Sequence, residues 1–216
     1  MVKRGVGTFV TALGLLCLAA ALLLTVFNIR TDTAALAANS ELLTQLRAAE
    51  PDGRADTLPA SPALTVLPAA APIRTAAAEE TDPAAMSTVE INGRQYVGTI
   101  TIPVFGLELP VMDECTDESL AVAPGRLAGS VRTGALVIGG HNYISHFGRL
   151  NRLREGNEIL FTDVDGNKTL YEVAGAEVID GTAGDLLVTD EWVLSLFTCT
   201  FSGSQRYVVR CVEAER

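Results

Sequence analysis

Leu194-Ser-Leu-Phe-Thr-Cys-Thr-Phe-Ser-Gly-Ser-Gln-Arg-Tyr-Val-Val-Arg210 reads as two strand-forming runs joined by a short Ser/Gly turn. Cys199 ends the first run and Arg206 opens the second. Antiparallel pairing across that turn predicts a thiol and a guanidinium on one surface, close together. A thiolate is a strong nucleophile, and a fixed cation beside it steadies an oxyanion. Such chemistry needs a base, and the chain has only two histidines, His141 and His146. His141 follows the buried-looking run Ala135-Leu-Val-Ile-Gly-Gly140. Cys199, His141 and Arg206 are therefore a candidate Cys/His/Arg site.

Working outward, residues 86–216 read as strand after strand and suit one domain. Val89-Glu-Ile91 and Gln95-Tyr-Val97 flank Asn92-Gly93, a tight-hairpin signal. Thr99–Ile102 and Leu107–Val111 follow, with a turn expected between Pro103 and Gly106. Ala135–Ile138 is a continuous apolar run, as expected for a barrel wall. Glu158–Thr162 and Thr169–Val178 bracket Asp165-Gly-Asn167, and Trp192–Cys199 and Arg206–Val212 finish the sheet. Short helical pieces are expected near Glu118–Val122, Phe147–Arg154 and Gly184–Leu187. Many short strands spaced by turn residues favour a mainly β fold, a closed barrel or a sandwich.

Three motifs in this order carry a family resemblance. Leu196-Phe-Thr-Cys-Thr200 resembles the sortase motif in which a Thr-Cys pair ends a barrel strand. Gln205-Arg-Tyr-Val-Val209 is similar to the next strand, with the family arginine, and Gly139-Gly-His-Asn142 is similar to the histidine motif. The resemblance covers roughly residues 86–216 and implies an eight-stranded sortase-like β-barrel with short helices and the active site at one edge. It implies that Cys199 is the nucleophile, His141 the acid and base, and Arg206 the group that holds substrate or oxyanion. Thr198 is the implied substrate-positioning residue, and Asn142 is a candidate substrate-binding residue that could also orient the His141 ring. Thr198 reads equally well as a β-branched strand former, and Asn142 as an ordinary Asx turn.

Each assignment has a rival. His146 competes with His141, but the match falls on the histidine directly after the glycines, and His146 is expected on the surface of the following loop. Arg210 competes with Arg206; positions four apart on a strand share a face, so alternation does not separate them. Cys211 lies deep in the last strand without an adjacent threonine. Cys115 and Cys211 would form a disulfide if their Cα atoms lie within about 7 Å. Cys17 falls in the N-terminal apolar run. No Cys-x-x-Cys or His-x-x-x-His pair exists, which argues against zinc, and no cofactor is expected. Calcium dependence stays open: Glu118, Asp163, Asp165 and Asp180 lie in or near loops, in a spacing that matches no EF-hand.

Lys3 and Arg4 precede an uncharged apolar run from Val6 to Phe27. At about 1.5 Å per residue it reaches about 33 Å, enough for a hydrocarbon core of about 30 Å. Residues 1–30 are therefore expected to be a cytoplasmic N-terminus and transmembrane signal-anchor, with the C-terminal domain outside a cell membrane crossed once. The competing reading is a cleaved signal peptide ending near Ala35-Leu-Ala37, which exports the domain equally. Residues 31–85 read as an Ala/Pro-rich linker containing one helical piece, Ser40–Ala49, with Ser40 as N-cap and Leu42, Leu43 and Leu46 on one side. Residues 86–216 form the expected catalytic domain. The formal net charge is -10, and residues 88–216 show no basic stripe, so nucleic acid is not an expected partner.

The implied reaction is transpeptidation. A sorting signal on a secreted protein would be cut through a thioacyl-enzyme, and an amine from a cell-wall precursor or a pilin lysine would take the acyl group. The class stays open. Gly-Gly-His-Asn resembles class B, yet Val178–Trp192 is short for the helix that class inserts. The absence of a C-terminal span speaks against the pilus-polymerising layout, and the spacing of seven between Cys199 and Arg206 is short beside many sortases. Two other readings are a catalytically silent anchored barrel that binds peptides or wall fragments, and a hydrolytic cysteine protease.

Overall fold

The computed structural model describes residues 3–49, 73–75 and 85–214, with side chains at 13–26, 39–49 and 85–214. The expected linker stretch 50–84 lies outside the described residues apart from 73–75. The chain divides into two compact units, Met1–Ala38 and Asn39–Arg216.

The first unit is helical and belongs to α1 (Lys3–Ala49). Among the described residues no helix is long and apolar enough to cross a membrane. The apolar side chains that are described, 13–26, would rise only about 21 Å. The rest of the expected span, 6–12 and Phe27, lies outside the described side chains.

The second unit is built on a sheet closed on itself. Its strands are β1 (Ile73–Thr75), β2 (Thr88–Ile91), β3 (Arg94–Ile102), β4 (Leu107–Met112), β5 (Gly125–Ala128), β6 (Leu136–Gly140), β7 (Glu158–Asp163), β8 (Lys168–Asp180), β9 (Leu194–Cys199) and β10 (Gln205–Glu213). The order is β1-β2-β3-β4-β5-β6-β9-β10-β8-β7, and β3 also pairs with β7. That pairing closes an eight-stranded barrel from β3 to β7 and leaves β1 and β2 as a side ribbon. Closure removes the exposed edges that an open sheet of this size would present. The β4–β5 and β6–β9 pairs are parallel and the others antiparallel.

Local sequence explains most of these elements. Asn92 and Gly93 have φ of 52° and 75°, the left-handed pair that a two-residue hairpin turn requires. Pro103–Phe105 forms a single 3-10 turn that Gly106 ends at φ 57°. Thr116 and Ser119 form a capping box on α2 (Asp117–Leu120), each side chain accepting from the other's backbone N–H. The other expected helical pieces shrink to 3-10 turns at Leu150–Arg152 and Gly184–Leu186. Two strands carried too little signal to be read: β5, four residues long, and β1, three residues inside the expected linker.

Strand alternation divides the barrel wall into two faces. Leu136, Ile138, Leu194, Leu196, Val209 and Cys211 join the interior cluster. Val137, Phe197 and Val208, from the same strands, join Ile179 and Leu187 on the outer face. Cys115 packs against the outer cluster while Cys211 is buried inside, so the two lie across the wall and both thiols are free. The end of α1 covers one side of the β2–β3 hairpin. Leu42 and Leu46 pack with Val89, Ile91, Tyr96 and Met112. Ser40 is interior to the helix and is not its N-cap, because the helical turns continue upstream of it.

Candidate active site

The functional side chains are gathered by strand register. Arg206 of β10 lies directly opposite Cys199 of β9, and directly opposite residues of an antiparallel pair project to the same side. On the other flank of β9 the parallel strand β6 pairs Gly140 with Thr198. His141 and Cys199 are each the next residue, so the chain leaves both strands at the same level. The structure thus brings His141, Cys199 and Arg206 to one end of three adjacent strands, with Cys199 in the middle.

The two glycines before His141 are required by packing. A Cβ on Gly139 would lie 2.5 Å from the Phe197 ring and 2.8 Å from Cys115 Sγ; one on Gly140 would lie 2.7 Å from the Phe147 ring. After them the chain turns tightly. Phe147 N donates to His141 O at 3.1 Å, and the N–H groups of His146 and Gly148 donate to Tyr143 O at 3.0 and 2.8 Å. The Tyr143 ring lies 4.9 Å from the His141 ring, tilted by 44°, and 5.7 Å from the His146 ring. His146 itself is buried, only 1% exposed, which corrects the expectation of a surface position. The 141–148 turn folds it inward beside Phe147, and a buried imidazole there is not open to substrate.

The β9–β10 turn carries the rest of the site. Thr200 N donates to Gln205 O at 3.0 Å and Gly203 N to Thr200 O at 2.9 Å. Arg206 Nη1 donates to Gly203 O at 3.0 Å and to Gln205 O at 3.2 Å, so the guanidinium is drawn over its own turn. Thr198, on the opposite face from Cys199, is 5% exposed, and its hydroxyl has no hydrogen-bond partner among the described residues. It lines a pocket of about 220 Å³ with Asn142, Phe147, Cys199, Phe201 and Tyr207. Thr198 and Asn142 therefore border the same recess as the thiol. Sequence reasoning passed over Tyr143, Phe201 and Tyr207. Phe201 is fully exposed, and an aromatic residue inside a Ser/Gly turn two residues after Cys199 was the signal available.

The other charged and thiol groups separate clearly. Burial raises the Cys115 thiol pKa to about 11, opposed by a hydrogen bond from the Gly139 backbone, and raises that of Cys211 to about 12. Arg210, the rival to Arg206, is 4% exposed, and each of its three guanidinium nitrogens donates to a neighbour. Of the loop carboxylates weighed as calcium ligands, Asp163, Asp180 and Glu118 have local partners. Asp163 Oδ1 accepts from the backbone of Asp165 and Asn167, and Glu118 lies 3.9 Å from Arg94. The Thr182 hydroxyl and amide hold the Asp180 carboxyl below its ordinary range. Among the described residues no group of three or more His, Cys, Asp or Glu is arranged to hold a metal ion.

Comparison with known proteins bears on the domain family and on the fold. Residues 100–214 match the Sortase domain. Sortase A of Bacillus anthracis is 28% identical over 144 residues, which is 61% of this chain. The matched part is 66% of that relative, just under two thirds of its length. Among solved structures, sortase A from Corynebacterium diphtheriae has a TM-score of 0.52 at 26% identity, over 57% of this chain and 62% of that one. Sortase C1 from Streptococcus agalactiae has a TM-score of 0.50 at 22% identity, over 59% and 72%, and speaks to the fold alone.

Proposed function

Because the chain belongs to the sortase family, we propose that it is a cysteine transpeptidase acting on exported proteins of a Gram-positive cell surface. The observation that carries the reading is the register that sets Cys199 between Arg206 and the residue after Gly140. In the proposed reaction the Cys199 thiolate attacks the carbonyl carbon of a residue within a sorting signal. Arg206, swung out from its turn carbonyls, offers its N–H fork to the oxyanion that forms. His141 gives its proton to the departing amine as the C–N bond breaks, which leaves a thioester on Cys199. An amine from a cell-wall precursor or a pilin lysine then loses a proton to His141 and attacks the thioester. A new amide forms and the thiolate returns. Thr198 and Asn142 would bind substrate from the recess beside the thiol.

The N-terminal helix is proposed as the membrane anchor, and the spacer expected over 31–85 is shortened, because Leu42 and Leu46 pack on the β2–β3 hairpin and β1 pairs with β2. Lys3 and Arg4 before the run Val6–Phe27 support the anchor, as does the exposure of Leu15, Leu16, Leu18, Leu22, Leu23 and Leu24 in α1.

The test is incubation of the full chain with a panel of sorting-signal peptides, with and without an amine acceptor, followed by intact-mass spectrometry. The expected result is an acyl adduct that is absent in Cys199→Ala and moves to the added amine. An adduct released only to water would indicate a protease. Absence of any adduct, with a Cys199 that resists small alkylating reagents, would favour a silent peptide-binding barrel.

A further inference from the structure

Arg210 is a buried cation that the proposed reaction does not use. It lies four residues after Arg206 on β10, so both project to the outer face. Its Nε donates to Glu177 Oε1 at 2.8 Å, and its Nη1 to Ser195 Oγ at 2.9 Å and Leu187 O at 3.2 Å. Its Nη2 donates to Leu186 O. Two of these acceptors are backbone carbonyls of the connection between β8 and β9. The others stand on strands either side of β10, since β10 pairs with both β8 and β9. A single planar fork therefore ties the connection to three strands of the barrel wall.

The consequence lies in what that connection covers. Leu187 is buried against Ile179, Phe197 and Val208. Phe197 precedes Cys199 by two residues and Val208 follows Arg206 by two, so on each strand they are the next outward-facing positions. The tied connection thus stands over the apolar strip that leads along the wall to the thiol, and Leu186 and Val188 remain exposed beside it. A buried charge is expensive unless all its donors are met, and an apolar residue would fill the same volume more simply. What the guanidinium adds is geometry, several acceptors fixed in one plane.

We propose that Arg210 is a positioning residue that clamps the β8–β9 connection as one wall of the cleft for the acyl-donor peptide. It sets donor recognition and takes no part in bond making. The proposal rests on the transpeptidase reading for the identity of the donor; the clamp itself is measurable without turnover.

The experiment compares the full chain with Arg210→Lys and with Glu177→Gln, whose half-exposed side chain can be altered with little risk to folding. Hydrogen–deuterium exchange over 181–193 reads the clamp. Steady-state transpeptidation with the panel peptide that acylates the unaltered chain reads recognition, and the iodoacetamide rate reads access to Cys199. In Arg210→Lys, exchange at 184–188 should rise about tenfold, and KM for the donor about five- to tenfold. The kcat, the KM for the amine and the alkylation rate should stay within about twofold. Glu177→Gln should move the same quantities in the same direction by less. Unchanged exchange overturns the clamp. Faster exchange with an unchanged donor KM, or a fall in kcat alone, overturns the assignment to recognition. If the unaltered chain forms no acyl adduct, the transpeptidase reading fails, and with it the assignment to donor recognition, while exchange still decides the clamp.

Discussion

Gly139 shows how tightly single residues control the site. Its α-hydrogen faces the Phe197 ring and Cys115 Sγ at distances no Cβ tolerates, and Phe197 lies two positions before the thiol. Gly139→Ala should therefore lower stability by about 1–3 kcal/mol, the usual range for overpacking. The strain should be shared, because the atom met first is the outer end of the Phe197 ring. Gly139→Ala combined with Phe197→Leu should consequently be more stable than the sum of the two single changes predicts, measured by urea unfolding. Additivity of the two would show that the close approach carries no strain. At the same scale, the raised pKa values of Cys115 and Cys211 keep both thiols protonated near neutral pH. A thiol without thiolate is a poor nucleophile, so alkylation of the barrel unit should map to Cys199 by peptide analysis.

Among the elements, the end of α1 has a structural share in the barrel unit. Leu46 is 4% exposed and packs with the β2–β3 hairpin, where it shields Tyr96 and Met112 from water. Arg47 adds an ion pair to Glu108 at 2.6 Å, but the pair is too exposed to contribute much. Leu46→Ala should destabilise the unit by about 2–3 kcal/mol through lost burial and the cavity left behind. Arg47→Ala should change stability by less than about 0.5 kcal/mol. Paired denaturation curves check both, and the reverse ranking would assign the helix end an electrostatic attachment. A protein trimmed to begin at residue 86 would expose this apolar patch.

For the whole molecule, the barrel interior has a pH limit. Cys211 is fully buried there, with its pKa raised from 9.0 to about 12 by burial, and Cys115 on the outer wall is raised to about 11. A thiol whose folded pKa is raised stabilises the fold fully below its unfolded pKa. That stability is lost as the pH climbs from about 9 through the folded value, because the unfolded chain releases protons first. Thermal midpoints should thus fall between about pH 9 and 12, as stability drops by up to about 1.4 kcal/mol per pH unit for Cys211 and by less, and only to about pH 11, for the partly exposed Cys115. Cys211→Val, which keeps the apolar volume and removes the proton, should flatten that slope. An equally steep fall in the variant would trace the alkaline limit to other groups.

The sequence by itself determined the parts that local chemistry encodes. Asn92-Gly93 fixed a hairpin, alternation fixed the strands, and the short turn between Cys199 and Arg206 left them only one practical pairing. The family motifs pointed to His141 and to a barrel, whereas the many short strands alone left a barrel or a sandwich open. Only the tertiary structure decided the relations between distant segments. Gly140 meets Thr198 through a parallel pairing of segments far apart in the chain, which no local signal specifies. The same holds for the inward fold of His146, the separation of Cys115 from Cys211, and the packing of the helix end on the hairpin. Arg206 and Arg210 were indistinguishable by periodicity because both face outward. The family motif favoured Arg206, and the physical difference came from the fold: the β8–β9 connection closes over Arg210 and leaves Arg206 at the mouth of the strands. Backbone preference acts over a few residues, whereas burial is set by whatever segments the closed barrel brings into contact.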